Sequence, residues 1–224
     1  MRALIAVNSP LLQIAAHGAA VLASADELTA CRAEFAARRS LRLVSLIEPR
    51  LLSRIQAQVA AAVFVDRAHG SISTELCMQR NVCLGVLNFL VNDPVVFKFV
   101  EEVTGCRTPK SFVGRVYRLC ANLDHYDSWH GDLGHDVGMS VNLGAEVFEG
   151  GVFEIRRVGT AEPTAAIANV GPGDAILFAI GDDLEHRNTP MRGPVAKTAF
   201  AGWFGPSRDY RDIVHQRMQP GGLS

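Results

Sequence analysis

No charge of either sign dominates this sequence: 22 Lys and Arg stand against 23 Asp and Glu, a formal net charge of −1 over 224 residues. Nucleic-acid binding driven by an excess of basic charge is therefore not expected. No apolar run approaches the ~20 residues of a membrane-spanning helix, so a membrane partner is not expected either. The five cysteines are odd in number and form no C-x-x-C pair. That pattern gives neither a disulfide framework nor a cysteine zinc site, and it fits a reducing, cytoplasmic setting. Internal repeats and low-complexity linkers are also missing. The one leader-like feature, Met1-Arg2 followed by an Ala/Leu-rich stretch to Ala23-Ser24-Ala25, is broken by Asn8-Ser9-Pro10, Gln13 and His17. It reads as a weakly anchored N-terminal segment rather than a leader.

What is present is a chain able to bury a core, with 48% hydrophobic and 20% charged residues and a length that suits one domain. Over residues 1–110 the apolar period is helical. Ser24 and Glu27 have capping-box spacing ahead of Leu28, Cys31 and Phe35. Pro49 opens a second helix in which Leu52, Ile55, Val59 and Val63 share a face. A third run, Val82 to Val91, stops at Asn92-Asp93-Pro94, where Asp93 is a good N-cap and Pro94 a good first residue for a fourth helix ending near Gly105.

From Ser111 the segments shorten and Gly or Pro punctuates them, which predicts successive strands. These fall near Phe112–Cys120, Met139–Leu143, Val152–Arg157, Ala166–Val170, Asp174–Ile180 and Lys197–Phe204. Helices first and strands afterwards predict an α+β fold with helices packed on one β structure. The last segment, from Pro206, carries Tyr210, Ile213 and Val214 at the spacing of a short helix before Pro220-Gly221-Gly222. It is expected to be mobile and is a candidate cover for the site.

The stretch richest in chemistry is His125-Tyr126-Asp127-Ser128-Trp129-His130-Gly131-Asp132. A His-x-Asp pair on extended backbone turns both side chains to one side, so an imidazole and a carboxylate can reach the same ion. His186, expected in a polar loop after the strand ending at Ile180, can supply a third ligand. Two histidines and one carboxylate on one face are the ligand set of non-haem Fe(II) oxygenases. Two such pairs occur here, and His130/Asp132 is preferred over His125/Asp127 because Trp129 precedes it and Gly131 permits close approach. His17, His69, His135 and His215 have no such company and read as ordinary histidines. Lys197, one of three lysines with Lys98 and Lys110, opens an apolar strand whose alternation puts it on one face with Ala199, Ala201 and Trp203.

Taken in order, His130-Gly131-Asp132, Met139-Ser140-Val141-Asn142-Leu143, Phe148-Glu149-Gly150-Gly151, Pro172-Gly173-Asp174, His186-Arg187 with Thr189-Pro190, and Gly202-Trp203-Phe204 resemble the Fe(II)/2-oxoglutarate dioxygenase superfamily, and within it the prolyl-4-hydroxylase-like branch. The likeness covers about residues 111–204. It implies one dioxygenase-like domain over 1–224, with helical support in 1–110, a double-stranded β-helix (jelly roll) in 111–204 and a tail in 205–224. It also implies His130, Asp132 and His186 as iron ligands, Lys197 as partner of the far carboxylate of 2-oxoglutarate, and Tyr117 as a hydrogen-bond partner of that co-substrate. Lys197 lies one position later after His186 than is usual, and Tyr117 lies farther upstream, so Arg187 and Arg192 stand as alternative anion partners.

The reaction so implied is hydroxylation of a C–H bond of a small molecule, amino acid or peptide side chain by dioxygen, with 2-oxoglutarate giving succinate and CO2. Asp132 speaks against halogenation, because related halogenases lack that carboxylate; desaturation and ring formation use the same ligands. Two other classes remain: a cupin-like metal-binding jelly roll that does not use 2-oxoglutarate, and a non-catalytic binding module.

Overall fold

A computed structural model describes residues 9–132, 134–168 and 171–218. The leader-like start through Asn8, the end of the expected strand at Asn169-Val170, and Pro220-Gly221-Gly222 lie outside the described residues. In chain order the elements begin with β1 (Leu12–Ala15), β2 (Gly18–Val21), α1 (Ala25–Arg38), β3 (Ser40–Leu43), α2 (Pro49–Ala60), β4 (Phe64–His69) and β5 (Ser73–Met78). They continue with α3 (Val82–Val91), α4 (Pro94–Thr104), β6 (Ser111–Leu119), β7 (Val137–Asn142), β8 (Glu149–Gly150), β9 (Phe153–Arg157) and β10 (Ala165–Ile167). Last come β11 (Ala175–Ala179), β12 (Leu184–Asn188), β13 (Met191–Arg192), β14 (Lys197–Gly205) and α5 (Tyr210–Met218).

The helices start and stop where the capping residues direct. Ser24 accepts from the Glu27 amide while the Glu27 carboxylate accepts from Ser24 N, closing the capping box. Pro49 and Pro94 occupy first turns, Asp93 caps α4, and Gly105 ends it in the left-handed region. The second helix stops at Ala60, short of the expected Val63, which is exposed.

Seven strands form the larger sheet in the order β3-β11-β7-β14-β6-β5-β4; a smaller sheet, β10-β9-β12, lies in the other layer of the β-helix. The outer face of the large sheet, with Phe112, Val116, Met139, Val141 and Phe200, packs on apolar faces of the helices such as Phe35, Ile55, Leu87 and Phe99. Asn88 of α3 and Asn92, which caps its C-terminus, fasten this layer, each side chain bonding both the N–H and the C=O of a β6 residue, Gly114 and Phe112. The inner face is a separate apolar layer, with Ile176 and Phe178 against Phe153, Ile155 and Leu184 of the small sheet. A Cβ at Gly138 would overlap the Phe178 ring, so glycine makes room for that aromatic beside the site.

The first 110 residues hold more β structure than their helical period indicates. They supply the β1–β2 hairpin and three strands of the large sheet. The reason is visible in β4, Phe64–His69, whose residues are mostly exposed at a sheet edge and carry no apolar alternation. Helix α5 lies where the tail's apolar spacing places it, with Tyr210 N bonded to Lys110 O. Its described side chains do not line the cavity that holds the candidate ligands. No single helix among the described residues is long and apolar enough to cross a membrane.

Candidate metal centre

His130 and Asp132 sit on the extended segment before β7, and the backbone there bridges to β12. His130 N donates to His186 O at 3.1 Å and His186 N donates to His130 O at 2.8 Å. That bridge brings residues 56 apart in sequence onto one face. One ligand atom from each of His130, Asp132 and His186 lies within 4.8 Å of the other two. His186 is not in a polar loop as its sequence context indicates; it is the central residue of a strand paired with Ile155. Apolar alternation is missing from Leu184–Asn188 because the inward positions after Leu184 are His186 and Asn188, so the site itself erases the strand signal.

The surroundings prepare these groups for a cation. His130 Nδ1 lies 2.7 Å from the Ser128 carbonyl, so Nδ1 is the donor there and Nε2 is the ring atom left for a metal. His186 packs against Phe153 and Phe178, at ring separations of 5.5 Å and 4.9 Å. Asp132 Oδ2 accepts the Trp203 indole N–H at 2.5 Å and lies 3.4 Å from His186 Nε2. Burial disfavours the Asp132 anion, but the His186 contact, the indole N–H and His130 outweigh it and hold the carboxyl at about 2. Two imidazoles and an ionised carboxylate whose ligand atoms converge in this way fit a divalent transition metal.

A cavity of about 180 Å³ opens onto the three residues, with Tyr117, Asn188, Arg115 and Trp203 also in its wall. Tyr117 is where expected, on the inner face of β6 opposite Ala199. Its burial, with Asp127 and Glu75 as nearby negative charges, raises the hydroxyl well above its ordinary pKa. Lys197 lies just behind this wall, 1% exposed. Its Nζ donates to Gly151 O at 2.8 Å and to Asn188 Oδ1 at 2.5 Å. Gly151 must be glycine: its φ is 56°, and a Cβ would lie 2.6 Å from Met191 Sδ and 3.0 Å from Lys197 Cδ. Burial lowers the Lys197 pKa to about 8, an effect partly offset by Asp127.

Both acceptors of the Lys197 ammonium are neutral, and among the described residues no carboxylate pairs with it directly. A buried cation held in this way suits an incoming carboxylate. The two alternative arginines are elsewhere. Arg187 pairs with Glu154 at 2.8 Å on the outside of the small sheet, beside the Arg156–Glu185 pair, and both guanidinium groups lie over the Trp129 ring. Arg192 is exposed on β13.

The second His-x-Asp pair has a supporting place. His125 Nδ1 accepts from Cys120 N, and Asp127 Oδ2 accepts both the backbone N–H and the side-chain amide of Asn188 at 2.7 Å. Asp127, Asn188 and Lys197 thus form one chain of contacts beside His130, whose Nδ1 is 3.5 Å from Asp127 Oδ1. Two histidines read as ordinary also belong here: His69 lines the cavity beside Glu75, and His135 stacks on Trp203 at 5.4 Å. Arg115 and Glu75 are cavity residues that sequence reasoning passed over. The signal for Arg115 was the alternation that puts it on one face with Tyr117; Glu75 sits in a hairpin that the helical period hides.

No family model matches the chain, and no curated protein sequence matches it. Solved structures do. An oxidoreductase of the 2OG-Fe(II) oxygenase family from Burkholderia pseudomallei superposes with a TM-score of 0.62 at 15% identity, covering 88% of this chain and 96% of that one. The fold is that of the 2OG-Fe(II) oxygenases. A Pseudomonas putida prolyl-4-hydroxylase matches with a TM-score of 0.56 at 13% identity, over 81% of this chain and 100% of its own. The epimerase SnoN, solved with Fe3+, alpha-ketoglutarate and nogalamycin RO, matches at 0.57 and 11% identity, over 90% and 93%. At these identities the likeness is one of fold, and the structures that share it include both a hydroxylase and an epimerase. The double-stranded β-helix expected from the motif order is therefore the architecture found.

Proposed function

We propose that this protein is an Fe(II)- and 2-oxoglutarate-dependent oxygenase that hydroxylates a C–H bond of a small molecule, amino acid or peptide side chain. The observation that carries the reading is the convergence of His130, Asp132 and His186 on the wall of a cavity, with the buried Lys197 behind that wall bonded, among the described residues, only to neutral acceptors. The fold shared with 2OG-Fe(II) oxygenases supports it, as does SnoN's own complex with Fe3+ and alpha-ketoglutarate. When bound, Fe(II) with 2-oxoglutarate supplies the oxidation of a substrate C–H bond by dioxygen, with succinate and CO2 as co-products.

The chain's own residues hold and orient. His130, Asp132 and His186 would hold the metal, and Trp203 fixes the Asp132 oxygen that it donates to. The Lys197 ammonium would take the far carboxylate of 2-oxoglutarate in exchange for its bond to Asn188 Oδ1, with Tyr117 contributing its hydroxyl from the same wall. Phe153 and Phe178 keep water from one side of His186. Retention of Asp132 favours oxygen transfer over halogenation. Five free cysteines accord with a reducing, cytoplasmic location.

The test is co-product formation. Aerobic protein given Fe(II) and 2-oxoglutarate is expected to produce succinate, even slowly without substrate, and His186→Ala is expected not to. Succinate formation equal in parent and His186→Ala, or independent of iron, would overturn the reading.

A further inference from the structure

Among the described residues, Arg115 is the one lysine or arginine in the cavity wall. It lies on β6 two residues before Tyr117, opposite the small Ala201 of β14. Glu75 of β5, itself 4% exposed, accepts from Nε at 2.8 Å and from Nη2 at 3.2 Å. That uses two of the five N–H donors a guanidinium carries. The other three, both on Nη1 and one on Nη2, have no further partner among the described residues. The guanidinium is also fixed from its sides, 5.7 Å from the Tyr117 ring and 5.7 Å from the Trp203 ring. Glu75 in turn is steadied by His69 at 3.4 Å.

A rigid guanidinium with one edge committed presents its other edge as a preformed fork, the geometry that binds a carboxylate through two parallel hydrogen bonds. The fork is also well placed. Trp203, beside Arg115, donates to the metal-facing Asp132, so a group held at Arg115 lies one aromatic side chain away from the three candidate ligands. The cavity, at about 180 Å³, is smaller than the ~300–1,000 Å³ of drug-sized ligand sites.

Resting on the functional reading above, we propose that Arg115 is the specificity-determining cation of this site and that the substrate is a small carboxylic acid. Its carboxylate is held by the guanidinium edge that Glu75 leaves free. The two cations then divide two anions: Lys197 serves the co-substrate and Arg115 the substrate. A structural Arg115–Glu75 pair alone needs neither the cavity placement nor the open edge.

The experiment compares acids with their amides. Thermal shift and calorimetric titration of the full chain, metal-free and then anaerobic with Fe(II) and 2-oxoglutarate, are run with amino acids, 2-hydroxy acids and small monocarboxylic acids, each beside its carboxamide. At least one acid is expected to bind about 10- to 100-fold more tightly than its amide, as a charged hydrogen-bond pair allows. Arg115→Gln should abolish that preference, and Arg115→Lys, which keeps charge without the fork, should retain part of it. Glu75→Gln breaks the same ion pair but leaves the cation, so it should keep the preference and controls for damage to the fold. A panel in which no acid is preferred over its amide overturns the proposal, as does a preference that survives in Arg115→Gln. Failure of the functional reading is separately visible, because the metal-free titration does not depend on iron or 2-oxoglutarate.

Discussion

Lys197→Met tests whether the buried ammonium is held against the interest of stability. In the unfolded chain the lysine keeps its proton up to 10.5, and in the fold only up to about 8. The difference, 10.5 less 8, is worth about 3 kcal/mol at ~1.36 kcal/mol per unit. Below about pH 8 the folded protein bears this penalty in full. As pH rises from there toward 10.5 the unfolded state binds the extra proton, so unfolding free energy rises with pH. Lys197→Met loses that rise. Near neutral pH it also escapes the burial of charge but leaves Gly151 O and Asn188 Oδ1 without their donor, ~1–3 kcal/mol each, so the two effects oppose each other there and the slope with pH is the quantity to read. Urea unfolding of both proteins across about pH 7 to 10 isolates the term, because thiols such as Cys31, in the helical core, titrate in both and cancel in the difference. The parent should gain ~2–3 kcal/mol on the variant over that range. Parallel curves would refute the reasoning, because Lys197 would then hold its proton in the fold as readily as in the unfolded chain and burial would carry no penalty.

Trp203→Phe removes the indole N–H from Asp132 Oδ2 while keeping an aromatic ring, and Fe(II) affinity measured by competition with a chelating dye should fall about 10- to 100-fold. Gly151→Ala forces a side chain onto a φ of 56° and into Met191 and Lys197, so thermal unfolding should report a loss of at least ~1–3 kcal/mol. Phe200→Ala, in the outer-face core, should cost ~3–5 kcal/mol in urea unfolding without altering the Fe(II) stoichiometry of the folded protein.

The readable parts of this chain were those where local chemistry and global position agree. Capping and proline signals place four helices to within a few residues, and glycine-punctuated apolar segments place β6, β7, β9, β11 and β14. The convergence of His130, Asp132 and His186 was legible for a different reason: His-x-Asp on extended backbone turns both side chains to one side, and motif order points to His186. What stayed hidden is what tertiary pairing decides. Strand β12 carries His186 and Asn188 where its apolar residues would be, and the β4–β5 hairpin brings Glu75 against Arg115 across 40 residues of sequence. Lys197 was readable as an inward cation, but not its link through Asn188 to Asp127, because that contact joins three separate segments.

The central claim is that one site binds both Fe(II) and 2-oxoglutarate. The most direct measurement is an anaerobic titration of metal-free protein with Fe(II) and then 2-oxoglutarate, following the visible charge-transfer band of the chelate. The account predicts a saturable band at one metal per chain, absent in His130→Ala and requiring much higher 2-oxoglutarate in Lys197→Met. Iron bound without any band would contradict the co-substrate assignment, and folded protein that binds no iron would contradict the metal centre itself.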